Sequence, residues 1–276
     1  MQLHGHDIAV CSWSLQPLGI GNLVAQVRQL GLSHVQLALG PLIGLDQKQK
    51  LHELAQLRAS GLSLTGGMIA FAGEDYSTID AIRQTGGFMP DDQWPRRKQM
   101  VADAARLGVE IGLKTIMTHV GFVPPPTEPG YAVIRSRVLD VAAILARSGI
   151  DLLMETGQEP AGELIEFLED LGAPNVHINF DPANMILYGA GDPIAALHVL
   201  SGHIRHVHVK DAVASSEPGK QWGQEVPFGA GQVGPAVFLK TLNEIGYAGP
   251  LGIEREAGST RLDDVRKAIE AIRNVD

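Results

Sequence analysis

The sequence predicts a closed (β/α)8 barrel, an α/β fold in a single TIM-barrel domain over residues 1–276, and three observations carry the prediction. Eight short apolar runs alternate with eight amphipathic segments from end to end. The length allows one large α/β domain or two small ones, and no internal boundary shows. No Gly-x-Gly-x-x-Gly opens the first helix, which argues against an open nucleotide-binding sheet. Alternation repeated this often within one domain length closes most simply into a parallel barrel.

In order, IAVCSW (8–13) precedes the helical pattern NLVAQVRQLG, and HVQLAL (34–39) precedes KQKLHELAQLRASG. LSLTGGMIAF (62–71) is followed, after a long loop, by RKQMVADAARLGVEIG, and KTIMTHVG (114–121) leads to YAVIRSRVLDVAAILARSG. In the second half, IDLLMETG (150–157) goes with AGELIEFLEDLG and NVHINFD (175–181) with DPIAALHVLSGH. IRHVHVK (204–210) then goes with GPAVFLKTLNEIG, and PLGIERE (250–256) with RLDDVRKAIEAIRNV. Gly31, Gly61, Gly149 and Gly246 stand where left-handed helix caps are expected. Two long loops are predicted, residues 72–95 and 212–234, of a length uncommon unless it shapes a site.

Composition narrows the function. The formal charge of −9 argues against nucleic acid and anionic membrane surfaces. Cys11 is the only cysteine, so neither an intramolecular disulfide nor a Cys-rich metal cluster is available. The start, MQLHGHDIAV, lacks the pattern of a signal peptide, and no apolar stretch approaches the ~20 residues that span a bilayer. The expectation is a soluble cytoplasmic protein without nucleic-acid or membrane partners.

Barrel active sites lie at the C-terminal ends of the strands. Strand five ends in Glu155, strand six in Asp181, strand seven carries His208 and strand eight Glu254, while strand four offers His119. A single carboxylate at a strand end is more often a helix cap or an ion-pair partner. Four consecutive strands delivering such groups to one rim point instead to a shared divalent metal, because buried carboxylates repel unless a cation compensates. Oxygen donors with one imidazole suit Mn²⁺, Mg²⁺ or Co²⁺, with Zn²⁺ open. His206 and His177 are expected deeper in the barrel interior, His206 in a hydrogen-bonded role, and His4 and His6 in solvent.

The motifs LLMETG, INFDPANM, HVHVKD and VPFGAGQVGPAVFLKTLNEIGYAGPLGIERE together resemble the xylose isomerase-like TIM-barrel superfamily. Within it they are most similar to the sugar phosphate isomerase/epimerases, alongside ketose 3-epimerases, inosose dehydratases and hydroxypyruvate isomerases. The resemblance implies that Glu155, Asp181, His208 and Glu254 hold one divalent ion, Mn²⁺ first and Mg²⁺, Co²⁺ or Zn²⁺ as alternatives. It implies a small-molecule carbohydrate substrate: a sugar, polyol or keto-sugar, phosphorylated or not, isomerised or epimerised through a metal-stabilised enediolate. Glu155 and Glu254 would move the proton, with His119 and Lys210 positioning substrate oxygens. Asn184 stands where ketose 3-epimerases have a histidine, Gln36 where relatives commonly have glutamate, and residues 212–219 lack the expected arginine.

Tyr76, Phe88, Trp94 and Trp222 in the long loops, with Trp13 after strand one, are candidates to contact substrate or to pin the loops. FGAGQVG offers backbone N–H groups to a phosphate. A lyase using the same enediolate is the nearest alternative function. An apurinic-endonuclease-like phosphodiesterase and a non-catalytic binding protein are more distant ones. Homo-oligomers are common among barrel enzymes, but no sequence stripe marks an interface.

Overall fold

A computed structural model describes residues 1–275. Eight strands form the barrel: β1 (His6–Cys11), β2 (His34–Ala38), β3 (Ser63–Met68), β4 (Thr115–Thr118), β5 (Asp151–Glu155), β6 (Val176–Phe180), β7 (Ile204–Val209) and β8 (Leu251–Ile253). Each runs parallel to its sequence neighbours, and β8 pairs with both β7 and β1, which closes the ring. Eight helices form the outer layer: α1 (Ile20–Gln29), α2 (Gln47–Ser60), α3 (Trp94–Ile111), α4 (Pro129–Ala146), α5 (Ala161–Leu171), α6 (Pro193–Leu200), α7 (Pro235–Glu244) and α8 (Arg261–Arg273). The four glycines expected as caps adopt φ between 65° and 70°, a conformation that costs a residue with Cβ and not glycine. No helix among the described residues is long and apolar enough to cross a membrane.

Period-two alternation divides the strand residues between two cores. One set, including Ile8, Val10, Ile116, Val207 and Ile253, is at most 1% exposed and belongs to the main apolar cluster with Leu23, Val138 and Leu242 of the helices. The other set fills the barrel, and there it is polar: Cys11, Gln36, Asn179, His206 and His208 touch one another. His206 takes the hydrogen-bonded interior role expected of it, to Asn179 Oδ1 (2.9 Å) and Thr65 Oγ1 (3.1 Å). Gly252 makes room for that layer, since a Cβ there would lie 2.8 Å from the His206 ring.

His6 is not solvated. The strand starts two residues before the apolar run, and a short N-terminal strand, Gln2–Leu3, folds back on it through a turn at His4 and Gly5. His6 is thereby 2% exposed, bonded to Gly249 O (2.9 Å) and stacked on Tyr247.

The long loops carry structure of their own. The one after β3 holds a helix, Ile79–Thr85, and the one after β7 a hairpin of Asp211–Val213 with Gln224–Val226. The N–H groups of FGAGQVG are not free for a phosphate. Those of Gly229, Gly231 and Val233 all donate to the buried Asp211 carboxylate, at 2.9–3.0 Å. Asp211 therefore anchors the whole turn.

Asp211→Ala should cost about 3 kcal/mol, because the buried N–H groups of Ala212 and Val233 lose their acceptor and each such donor costs about 1–3 kcal/mol. Denaturant titration beside wild type checks this, and an unchanged midpoint would remove the anchoring role. A second prediction concerns Glu159, a buried residue of the β5–α5 loop that accepts from Val123 N (2.8 Å). Burial pushes its carboxyl up from 4.5 to about 8. Between those values the folded chain keeps a proton that the unfolded chain has released, so stability falls as pH rises and then levels off. Melting temperature against pH should show this decline in wild type and a flatter profile in Glu159→Gln.

Candidate metal centre

Four side chains meet at the C-terminal mouth of the barrel. Glu155 is the last residue of β5, Asp181 follows β6, His208 lies in β7 and Glu254 follows β8. All are buried, and one ligand atom from each lies within 4.8 Å of the others. His208 Nδ1 is the hub, 3.1 Å from Glu155 Oε1, 3.3 Å from Glu254 Oε2 and 3.5 Å from Asp181 Oδ2. Asp181 is also a helix cap: Oδ1 accepts from Asn184 N (2.9 Å) at the start of a helix, Pro182–Tyr188, which leaves Oδ2 turned to the cluster.

A ring of donors fixes the carboxylates. Trp13 Nε1 donates to Glu254 Oε1 (2.6 Å), and Lys210 Nζ donates to Glu254 Oε2 (2.8 Å), Glu256 Oε2 (2.7 Å) and Asn184 Oδ1 (3.3 Å). Asn184 Nδ2 donates in turn to Glu155 Oε1 (3.2 Å). His119 Nε2 lies 3.4 Å from Glu155 Oε2.

The electrostatics follow from this packing. Burial opposes charge on every member, and the neighbouring charges override it. For Glu155 the overriding charges are His119 and His208, for Asp181 they are Lys210 and His208, and for Glu254 again Lys210 and His208; all three carboxyls are held below their usual range. Burial likewise works against protonated His208 and Lys210, yet the facing carboxylates, Glu254 foremost, hold both well above their ordinary values. In Cys11 burial wins and pushes the thiol up to about 12. The thiol therefore stays protonated, although it lies within reach of His208 and Glu254.

The residues fit a divalent ion. Glu155 Oε2 and Asp181 Oδ2 are buried with no hydrogen-bond partner among the described residues, an arrangement that is costly unless a cation compensates. Three carboxylates and one imidazole form an oxygen-rich donor set suited to hard or borderline cations.

Above the cluster opens a cavity of about 560 Å³. Trp13, His119, Asn184 and Lys210 all line it, together with Glu155 and Glu254. An aromatic group of Tyr76, Tyr188 and Trp222 forms part of its wall. Trp94 does not reach the cavity. It opens α3, which begins three residues before the helical pattern read from sequence, and packs on Phe88 with Lys98 and Arg137 over its ring. Phe88 is itself core, at 0% exposed.

Sequence reasoning passed over three further residues of this site. Glu256 holds Lys210, and its place two residues after Glu254 on an extended segment was an available signal. Asn179 bridges His206 and His208, and sits likewise two residues before Asp181. Tyr188 had no signal, since its helix lies inside what reads as a loop.

Comparison with known proteins agrees with this architecture. A "Xylose isomerase domain protein" from Planctomyces limnophilus is 35% identical, with 96% of this chain and 95% of that one covered at a TM-score of 0.87. A xylose isomerase-like TIM-barrel protein from Mycobacterium smegmatis, solved in complex with magnesium, is 15% identical over 99% of each chain (TM-score 0.73). An L-ribulose 3-epimerase is 18% identical over 96% of this chain and 92% of that one (TM-score 0.71). Among curated proteins, the uncharacterized Escherichia coli protein YihM is 31% identical over 116 residues, 40% of this chain and only 35% of that protein's length. The family model described as "Xylose isomerase-like TIM barrel" matches residues 24–275, and the chain belongs to that family.

Proposed function

We propose that the protein is a metal-dependent isomerase or epimerase of a sugar, polyol or keto-sugar. The observation that carries this reading is the buried cluster of Glu155, Asp181, His208 and Glu254 at the base of a cavity sized for a small carbohydrate. Fold likeness to a sugar epimerase supports it. One divalent ion held by the four side chains, Mn²⁺ first with Mg²⁺, Co²⁺ or Zn²⁺ as alternatives, would supply a Lewis acid that acidifies a carbon beside a carbonyl.

The chain's own residues move the proton. Glu155 lacks the indole and the ammonium that occupy both oxygens of Glu254, and so takes the proton from carbon. The electron pair passes to the carbonyl oxygen and gives an enediolate. Return of a proton to the adjacent carbon isomerises the substrate, and return to the other face of the same carbon epimerises it. The returning proton comes from the side of Glu254 and Lys210, while His119 and Lys210 hold substrate oxygens. Aromatic rings of Trp13, Tyr76, Tyr188 and Trp222 exclude water from the enediolate. A lyase is the second reading, since proton abstraction beside a carbonyl starts an elimination as well. Product mass separates the two, since elimination loses a water.

Elemental analysis should find about one equivalent of divalent metal in wild type and none in His208→Ala. Added Mn²⁺ should raise the melting temperature of wild type alone, by the equivalent of ~2.7 kcal/mol at a hundredfold excess over Kd. Absence of both would sink the metal reading. For the chemistry, Mn²⁺-loaded protein in D₂O should place deuterium at the carbon beside the carbonyl of an accepted ketose. Glu155→Gln, checked for metal content, should slow turnover by ~10²–10⁴, and a loss within tenfold would exclude Glu155 as the base.

A further inference from the structure

We infer that Gln36 is a positioning residue: its carbonyl holds His208 with the proton on Nε2, and so turns the Nδ1 lone pair toward the ion the carboxylates would bind. The inference rests on the metal reading above and concerns the side of His208 that faces away from it. Nδ1 looks at three carboxylates, at 3.1–3.5 Å. Nε2 looks instead at Gln36 Oε1, 2.7 Å away in the middle of β2. The neutral form with its proton on Nδ1 would set two lone pairs against each other across that 2.7 Å. A proton on Nε2 turns the same contact into a short hydrogen bond.

The neighbouring groups agree on which way the Gln36 amide faces. Its Oε1 also accepts from the Cys11 thiol (3.1 Å), and its Nε2 points at Met117 Sδ. Reversing the amide would set an NH₂ group against the thiol hydrogen and the imidazole N–H. Asn179 is the weaker claimant on that nitrogen. Its Nδ2 lies 3.2 Å from His208 Nε2 and 3.5 Å from Nδ1, both longer than the 2.7 Å contact to Gln36. Asn179 is turned that way because its Oδ1 accepts from His206. Gln36 is thus the acceptor that the ring nitrogen distant from the carboxylates requires, and it is fully buried.

The role predicts what substitution does to metal binding before any substrate is involved. Groups that orient a ligating histidine typically contribute 10–100-fold in metal affinity. Mn²⁺ titration should therefore give Gln36→Leu a Kd raised 10–100-fold. Gln36→Glu, which keeps an acceptor at the same reach, should stay within about threefold of wild type. Nitrogen-15 spectra of histidine-labelled, Zn²⁺-loaded wild type should show the ring that shifts on metal addition protonated at Nε2 and metal-shifted at Nδ1. A Gln36→Leu protein that binds Mn²⁺ as tightly as wild type, or a metal-shifted Nε2, would overturn the inference. Should Gln36→Leu fail to fold, Gln36→Glu and the spectrum decide it. If wild type binds no divalent ion, the metal reading itself falls, an outcome distinct from wild type binding with Gln36 indifferent.

Discussion

Everything at the rim depends on keeping three carboxylates charged where little water reaches them. Two unit charges 4 Å apart repel by about 4 kcal/mol at an effective dielectric of 20, and the Glu155, Asp181 and Glu254 cluster contains three such pairs. The interior answers with cations and donors. Lys210 lies between Glu254 and Glu256, His208 sits among all three acids, and Trp13 and Asn184 each direct an N–H at a glutamate oxygen. These groups hold the acids ionised, and two carboxylate oxygens still lack a hydrogen bond. A site built this way is already committed to binding positive charge.

The barrel serves that arrangement more than the reverse. Parallel strands place their last inward residues on one ring, so Glu155, His208 and Glu254 converge with no long loop to position them. The layer beneath is polar where most barrels are aliphatic, and each of its groups is matched: His206 to Asn179 and Thr65, Gln36 to His208 and Cys11. A buried polar network is tolerable only when its members are satisfied. Here the network also carries the orientation of the rim histidine down into the core.

Much of this was legible in the sequence because it follows from period and position. Alternation gave eight strands, strand ends gave the four rim groups, and glycines marked the helix ends. What escaped depends on partners far away along the chain. Gln36 and His208 are 172 residues apart, and neither residue alone says that the two share a hydrogen bond. FGAGQVG looks like an anion cradle until the Asp211 side chain is seen to occupy it. Trp94 reads as a loop aromatic because the helical pattern appears to begin at Arg97, and the added turn carries the indole away from the cavity. His6 reads as polar start because its strand begins two residues before its apolar run.

The two rim glutamates, alike in the sequence pattern, differ in what surrounds them. Both oxygens of Glu254 accept strong hydrogen bonds, from an indole at 2.6 Å and an ammonium at 2.8 Å. Each such bond stabilises the carboxylate and weakens it as a base. Glu155 keeps Oε2 without a donor, beside His119 at 3.4 Å. A carboxylate held by an indole and an ammonium is the weaker base of the two, which in the proposed reaction leaves Glu155 to take the proton. The asymmetry comes from Trp13 and Lys210, which stand beside Glu254 and not beside Glu155. The proton transfer proposed for this rim would therefore have a direction, set by which glutamate the indole and ammonium occupy.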